Sequence, residues 1–192
     1  MKPLDRLLQR WRIKQAATFI PQGARLLDIG CADGALYRIL KPKLQSYVGL
    51  DPTLPGSVNE GNCQFIAGSF PEDFPSLPAF DVITMLAVIE HLPREMQDRA
   101  AEAFVECLSP DGILILSTPS PSVNRLLWIL RGMRVIDGMS LDEHYGFEPK
   151  QVPKVFHHRE LDFIHHQTFE LGLNHLFVFR KKSGAREFDH EM

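Results

Sequence analysis

Apolar residues along this chain fall into short runs separated by stretches of helical spacing. The runs "ARLLDIG" (24–30), "SYVGLD" (46–51), "CQFIAGS" (63–69), "FDVITMLAV" (80–88) and "ILILSTP" (113–119) are almost wholly apolar. Strands with one wet face would alternate, so these read as strands buried on both faces. Between them, "GALYRIL" (34–40), stopped by Pro42, and residues 94–108, ended by "SPDG", carry helical spacing. "EPKQVPKVF" predicts a short helix, and "LDFIHHQTFELGLNHLFVFRKK" two further strands joined near Gly172. The pattern therefore predicts an α/β fold, a doubly wound and mostly parallel sheet with helices on both faces.

Two segments lie outside this alternation. Leu4, Leu7, Leu8 and Trp11 predict an amphipathic helix within residues 1–20 that docks on the domain. From 120 to 146 the connection is longer than α/β units normally use. There Leu126, Ile129, Leu130, Met133 and Ile136 share one helical face and Arg131 and Arg134 the other. Such an insert suits a lid over an acceptor pocket, or a peripheral membrane contact. With 192 residues the chain fits a single domain spanning 1–192, whose tail (183–192) is expected to fray.

Composition narrows the classes. A net charge of −3 offers no global attraction for a phosphate backbone, so nucleic acid is not the expected partner. No run approaches the roughly 20 apolar residues of a membrane span. The three cysteines are odd in number and lack metal-ligand spacing, which suits reduced thiols. These features predict a cytoplasmic protein without a metal site.

The stretch "RLLDIGCADGALYRIL" (25–40) joins a strand, a tight turn and a helix opening, the arrangement that holds nucleotides. A dinucleotide fingerprint requires G-x-G-x-x-G; the corresponding residues are Gly30, Ala32 and Ala35. Asp28 and Asp33 would face a pyrophosphate with like charge, costing about 3 kcal/mol each at ~5 Å and an effective dielectric of about 20. The same carboxylates attract a ligand bearing an ammonium and a sulfonium. Asp51, about 20 residues beyond the turn, can accept both hydroxyls of a ribose. S-adenosylmethionine combines these groups, and an NAD-dependent oxidoreductase is the rival reading.

"LLDIGCADG", "VGLDP", "GSFPEDFP", "FDVITMLAVIEHLP" and "LSPDGILILSTPS", in this order, resemble the successive motifs of class I S-adenosylmethionine-dependent methyltransferases, of the small-molecule, quinone-biosynthesis-like type. The resemblance implies a Rossmann-like sheet of seven strands with the last antiparallel. It also implies Asp28, Gly30, Cys31, Ala32, Asp33 and Gly34 around the methionine moiety, and Asp51 with Pro52 at the ribose. Ser69 and Phe70 would lie near the adenine, while Met85, Leu86 and Ala87 would face cofactor and acceptor. Three positions depart from the family pattern. Ala32 replaces a glycine, Ser69 stands where an acid is common, and Ala87 stands where related quinone enzymes carry the first acid of a metal-associated E-x-x-E-H.

The expected reaction is in-line methyl transfer to oxygen of a small molecule or a glycan- or lipid-linked precursor. His91 in "VIEHLP" is the candidate base; alternatively, Glu90 and His91 cap the following helix. His144, beside Tyr145, is the second catalytic candidate, with solvent exposure as the alternative. The adjacent pairs His157-His158 and His165-His166 cannot converge on one metal if they lie on strands. A catalytically silent S-adenosylmethionine-binding module remains open, and the oligomeric state is not set by the sequence.

Overall fold

The computed structural model describes residues 3–75, 77–120, 148–156 and 160–183. The expected insert with its arginines, His144, the His157-His158 pair and the residues beyond 183 lie outside these. The first element is α1 (Pro3–Ala17), followed by β1 (Ala24–Ile29), α2 (Ala35–Leu40), β2 (Leu44–Asp51), β3 (Val58–Glu60), β4 (Cys63–Ala67) and β5 (Phe80–Leu86). Then come α3 (Arg94–Cys107), β6 (Leu108–Pro119), α4 (Val152–Val155), β7 (Leu161–Phe169) and β8 (Asn174–Lys181).

The strands form one sheet in the order β3-β4-β2-β1-β5-β6-β8-β7. β4, β2, β1, β5 and β6 are mutually parallel, and β8 runs antiparallel to both of its neighbours. The seven expected strands are present with the last antiparallel. An eighth, the three-residue β3, adds an antiparallel edge that its exposed residues did not announce. β6 begins at Leu108 rather than after "SPDG": Phe80 pairs with Leu108 across a register break, and Asp111 takes φ +62 within the strand. The backbone accommodates those turn residues as a bulge instead of a stop.

Each face of the sheet has its own core. Leu26, Tyr47, Val82, Ile115 and Val178 pack on one side with Ile13, Ala16 and Leu36 of α1 and α2. Leu27, Val48, Ile83, Leu114, Phe177 and Phe179 pack on the other with Phe104 of α3 and Phe156, which follows α4. Burial on both faces explains why the strands lack alternation. The Lys181 ammonium ties the end of α3 to β8 by donating to the carbonyls of Val105 (2.5 Å) and Leu108 (2.9 Å).

α1 exists as predicted but docks through a different stripe. Ile13 and Ala16 are buried, whereas Leu7 is 60% and Trp11 41% exposed. The contact is made by the helix's C-terminal half, which continues into buried Ile20. Strand order reverses between β1 and β5, so the crevice at their carboxyl ends is the switch point where such sheets hold ligands.

Candidate functional site

The turn after β1 is built from left-handed backbone. Gly30, Ala32 and Gly34 have φ of +75, +46 and +69. Glycine adopts this region freely, and alanine at a cost of about 1–2 kcal/mol. Ala32 is held there by Asp51, whose Oδ2 accepts from the Ala32 amide at 2.8 Å. Oδ1 accepts from the Thr53 amide (2.8 Å) and the Thr53 hydroxyl (2.5 Å). Asp51 thus ends β2 as the organiser of the turn; both lone pairs of Oδ1 are taken, and Oδ2 keeps one for a ribose hydroxyl. Pro52 is exposed beside it.

The turn's amides are already in use. Those of Gly30 and Cys31 donate to the Leu50 carbonyl, Gly34 to the Cys31 carbonyl, and Ala35 to Asp33 Oδ1. A pyrophosphate cradle needs such amides free, so this turn is poorly suited to a dinucleotide. That reason differs from the carboxylate repulsion expected from sequence. Asp33 is exposed and ion-paired with Arg38 at 2.7 Å, and it accepts from Gln9 Nε2 at 3.1 Å. Asp28 lies inside the sheet, where its oxygens accept from the Tyr47 hydroxyl (2.8 Å) and the Thr84 hydroxyl (2.7 Å). Burial pushes Asp28 up to about 6 despite those two bonds. Neither carboxylate is the free charge that the sequence argument assumed.

Cys31 packs as a small buried group against Gly49, where an added Cβ would lie 2.9 Å from its Sγ. Burial pushes its thiol well above the usual range. At the end of β4 the Ser69 amide donates to Asp73 Oδ2 (2.8 Å). An acid therefore stands at this loop, supplied by Asp73 instead of position 69. Phe70 is buried and stacks on Phe104, with centroids 4.9 Å apart, so its ring belongs to the core rather than to an open adenine site.

On the β5 side Met85 is fully buried, Leu86 is half-buried, and Ala87 turns the chain with φ +57 while its amide donates to the Ser117 carbonyl (2.9 Å). A short 3-10 turn, Ile89–His91, follows and carries Glu90 and His91. Glu90 is 2% exposed, and burial pushes its carboxyl up to about 7. His91 is half-buried with its Nε2 withdrawn from water. The two sides meet at Gly30, where a Cβ would lie 2.2 Å from Val88 Cγ2. Only glycine permits this approach between the β1 turn and the β5 exit.

Two participants escaped the sequence reading. Arg12 projects from α1 toward Glu90 and Glu170; burial lowers its pKa while both carboxyls raise it. Its signal was legible: Leu8, Arg12 and Ala16 lie four residues apart on one helical stripe. The second is a clasp in which Ser120 Oγ donates to the Gly172 carbonyl (2.6 Å) and bonds His175 Nε2 (2.8 Å). His175 Nδ1 in turn shares a hydrogen bond with His166 Nε2 at 3.0 Å. The two rings are 3° off parallel with centroids 5.3 Å apart, so they lie side by side in one plane along that bond. His165 points elsewhere, against Phe19. Among the described residues no group of three or more histidines, cysteines or acids could hold a metal, and no helix is long and apolar enough to cross a membrane.

Comparison with known proteins agrees with this fold. A family model described as a methyltransferase domain matches residues 3–174. The tRNA U34 carboxymethyltransferase of Methylococcus capsulatus is 34% identical over 119 residues, covering 57% of this chain and 36% of that protein. The chain thus spans about a third of that curated relative's length. The N-methyltransferase NodS from Bradyrhizobium japonicum WM9, crystallised in complex with S-adenosyl-L-homocysteine, has a TM-score of 0.63 at 18% identity, covering 94% of this chain and 88% of that one. Magnesium protoporphyrin IX methyltransferase from Synechocystis PCC 6803 with bound S-adenosylhomocysteine has a TM-score of 0.65 at 14% identity, covering 91% and 85%. At these identities the structural likeness speaks for the fold.

Proposed function

This chain belongs to the S-adenosylmethionine-dependent methyltransferase-domain family, and on that premise we propose that it methylates an oxygen of a small-molecule acceptor at the rim where β5 ends. When bound, the cofactor supplies an electrophilic methyl group on a sulfonium, a leaving group good enough that in-line alignment accounts for much of the acceleration. The residues that would hold it are Gly30 to Gly34, a tight turn that its two left-handed glycines allow, and Asp51, whose Oδ2 keeps a lone pair for the ribose. The Ser69 and Asp73 loop lies on the adenine side, and Met85 to Ala87 lie toward the acceptor. His91, on the turn that follows, receives the hydroxyl proton as the oxygen attacks. His144 is the sequence's other candidate for that side.

The observation that carries this reading is the 2.2 Å between the Cβ that Gly30 lacks and Val88 Cγ2. It brings the cofactor turn against the strand exit whose next turn bears Glu90 and His91. A small molecule, or a glycan- or lipid-linked precursor, suits a chain of net charge −3 better than a polyanion. The tRNA enzyme named above matches this chain over only 36% of its length, so its substrate is not carried over to this chain.

The test couples calorimetry with S-adenosylhomocysteine against S-adenosylhomocysteine release over a panel of hydroxyl, amine and tRNA acceptors. We expect micromolar binding and release with a hydroxyl acceptor. His91→Ala should lower kcat by about 10²-fold or more with cofactor affinity unchanged. Binding without release on any acceptor would favour the silent module, and unchanged turnover would return His91 to a structural role.

A further inference from the structure

On the α1 side of the same rim, five buried polar atoms lack partners among the described residues: Glu90 Oε2, Thr118 Oγ1, Glu170 Oε1, Asn174 Oδ1 and Arg12 Nε. They belong to one cluster. They meet at the end of β6: the Ala87 amide before Glu90 donates to the Ser117 carbonyl, Pro119 pairs with Asn174, and Asn174 Nδ2 donates to Glu170 Oε2, while the Arg12 guanidinium acts on both carboxyls. They come from α1, the turn after β5, the end of β6, the turn between β7 and β8, where Glu170 has φ +52, and the first residue of β8. Glu90, Glu170 and Asn174 are 2%, 3% and 5% exposed. Folded proteins pair nearly all their buried polar atoms, so five orphans gathered in one place mark a seat for a polar group that the described residues do not themselves provide.

The chemistry of the orphans selects the occupant. Three of the five only accept, the Thr118 hydroxyl and Arg12 Nε can donate one hydrogen each, and one guanidinium faces two carboxyls. The cluster is therefore short of N–H donors and of positive charge. A metal ion is disfavoured because no three acidic or histidine groups among the described residues are placed to hold one.

We propose that Glu90 and Glu170 receive a protonated amine of the methyl acceptor, an inference that rests on the methyltransferase reading above. Glu90 follows Ala87 by three residues and precedes His91 by one, so an ammonium seated there anchors the acceptor beside the transfer site. A protonated amine has no lone pair and cannot attack a methyl group. The cluster holds the acceptor's charge, and another of its atoms is methylated. Burial pushes both carboxyls upward, and a bound cation would draw them back.

The test uses full-length protein saturated with S-adenosylhomocysteine and three probes of one skeleton: benzylammonium, benzyl alcohol and benzoate. Titration should show benzylammonium binding at least tenfold tighter than benzyl alcohol, and benzoate weakest. Glu90→Gln and Glu170→Gln preserve side-chain volume. Each should weaken benzylammonium about tenfold while leaving benzyl alcohol and S-adenosylhomocysteine affinities unchanged. Equal binding of the amine and the alcohol, no binding of either, or an unchanged amine affinity in both variants would overturn the proposal and leave the cluster as a seat for internal water. Failure of the unsubstituted protein to bind S-adenosylhomocysteine would instead sink the methyltransferase reading itself.

Discussion

Asp51→Ala removes an acceptor that the fold uses before any cofactor arrives. Its two oxygens take three hydrogen bonds, from the Ala32 amide, the Thr53 amide and the Thr53 hydroxyl, and the residue is 7% exposed. Hydrogen bonds to a charged group contribute about 1.5–3 kcal/mol each when buried. Ala32 and Thr53 lie at the surface, where water can replace part of each bond. We therefore expect a total loss of about 2–3 kcal/mol, including release of the positive-φ strain that the bond holds at Ala32. For a domain of this size that corresponds to a Tm lower by about 4–12 °C. Urea unfolding of the ligand-free protein measures it directly, and Asp51→Asn, which keeps one acceptor oxygen, should fall between the two. Cofactor affinity should drop as well, but as a second effect. A ligand-free stability within about 0.5 kcal/mol of the parent, with S-adenosylhomocysteine affinity reduced tenfold or more, would refute this reasoning and assign Asp51 to the ligand alone.

Three further outcomes follow from neighbouring residues. Ala32→Gly should raise stability by about 0.5–1 kcal/mol, because relief of the left-handed strain exceeds the added chain entropy; a lower urea midpoint would contradict the strain. Gly30→Ala should destabilise by about 2 kcal/mol or more through its clash with Val88, and adding Val88→Ala should restore part of that in a double-mutant cycle, whereas strict additivity would deny the contact. Glu90 ionises at about 7 in the fold against an ordinary 4.5. Its contribution is fully present below about 4.5 and is lost as pH rises through 7, amounting to roughly 3 kcal/mol. The stability difference between the parent and Glu90→Gln should therefore shift toward the variant between pH 5 and pH 8. A difference that stays flat across that range would place Glu90 in contact with water.

Much of this protein was legible in one dimension. Unbroken apolar runs require burial on both faces, and that requirement leads to a parallel sheet between two helical layers. The glycine turn, Asp51 at the end of β2 and the ordered motifs pointed to the cofactor class. Short-range chemistry governs all of these, because which φ a residue tolerates and which face a strand can wet are local matters. The partners of polar side chains were not legible. Asp28 and Asp33 looked like two free charges beside the turn, yet Tyr47 and Thr84 take the first and Arg38 the second, and the turn's amides are spent on Leu50, Cys31 and Asp33. Arg12, Glu90 and Glu170 sit far apart along the chain and meet only when α1, the exit of β5 and the β7–β8 turn converge on one rim. Hydrophobic patterning determines that a surface is buried; only the packed fold decides which charges are buried with it, because their energies depend on distances that close across the whole chain.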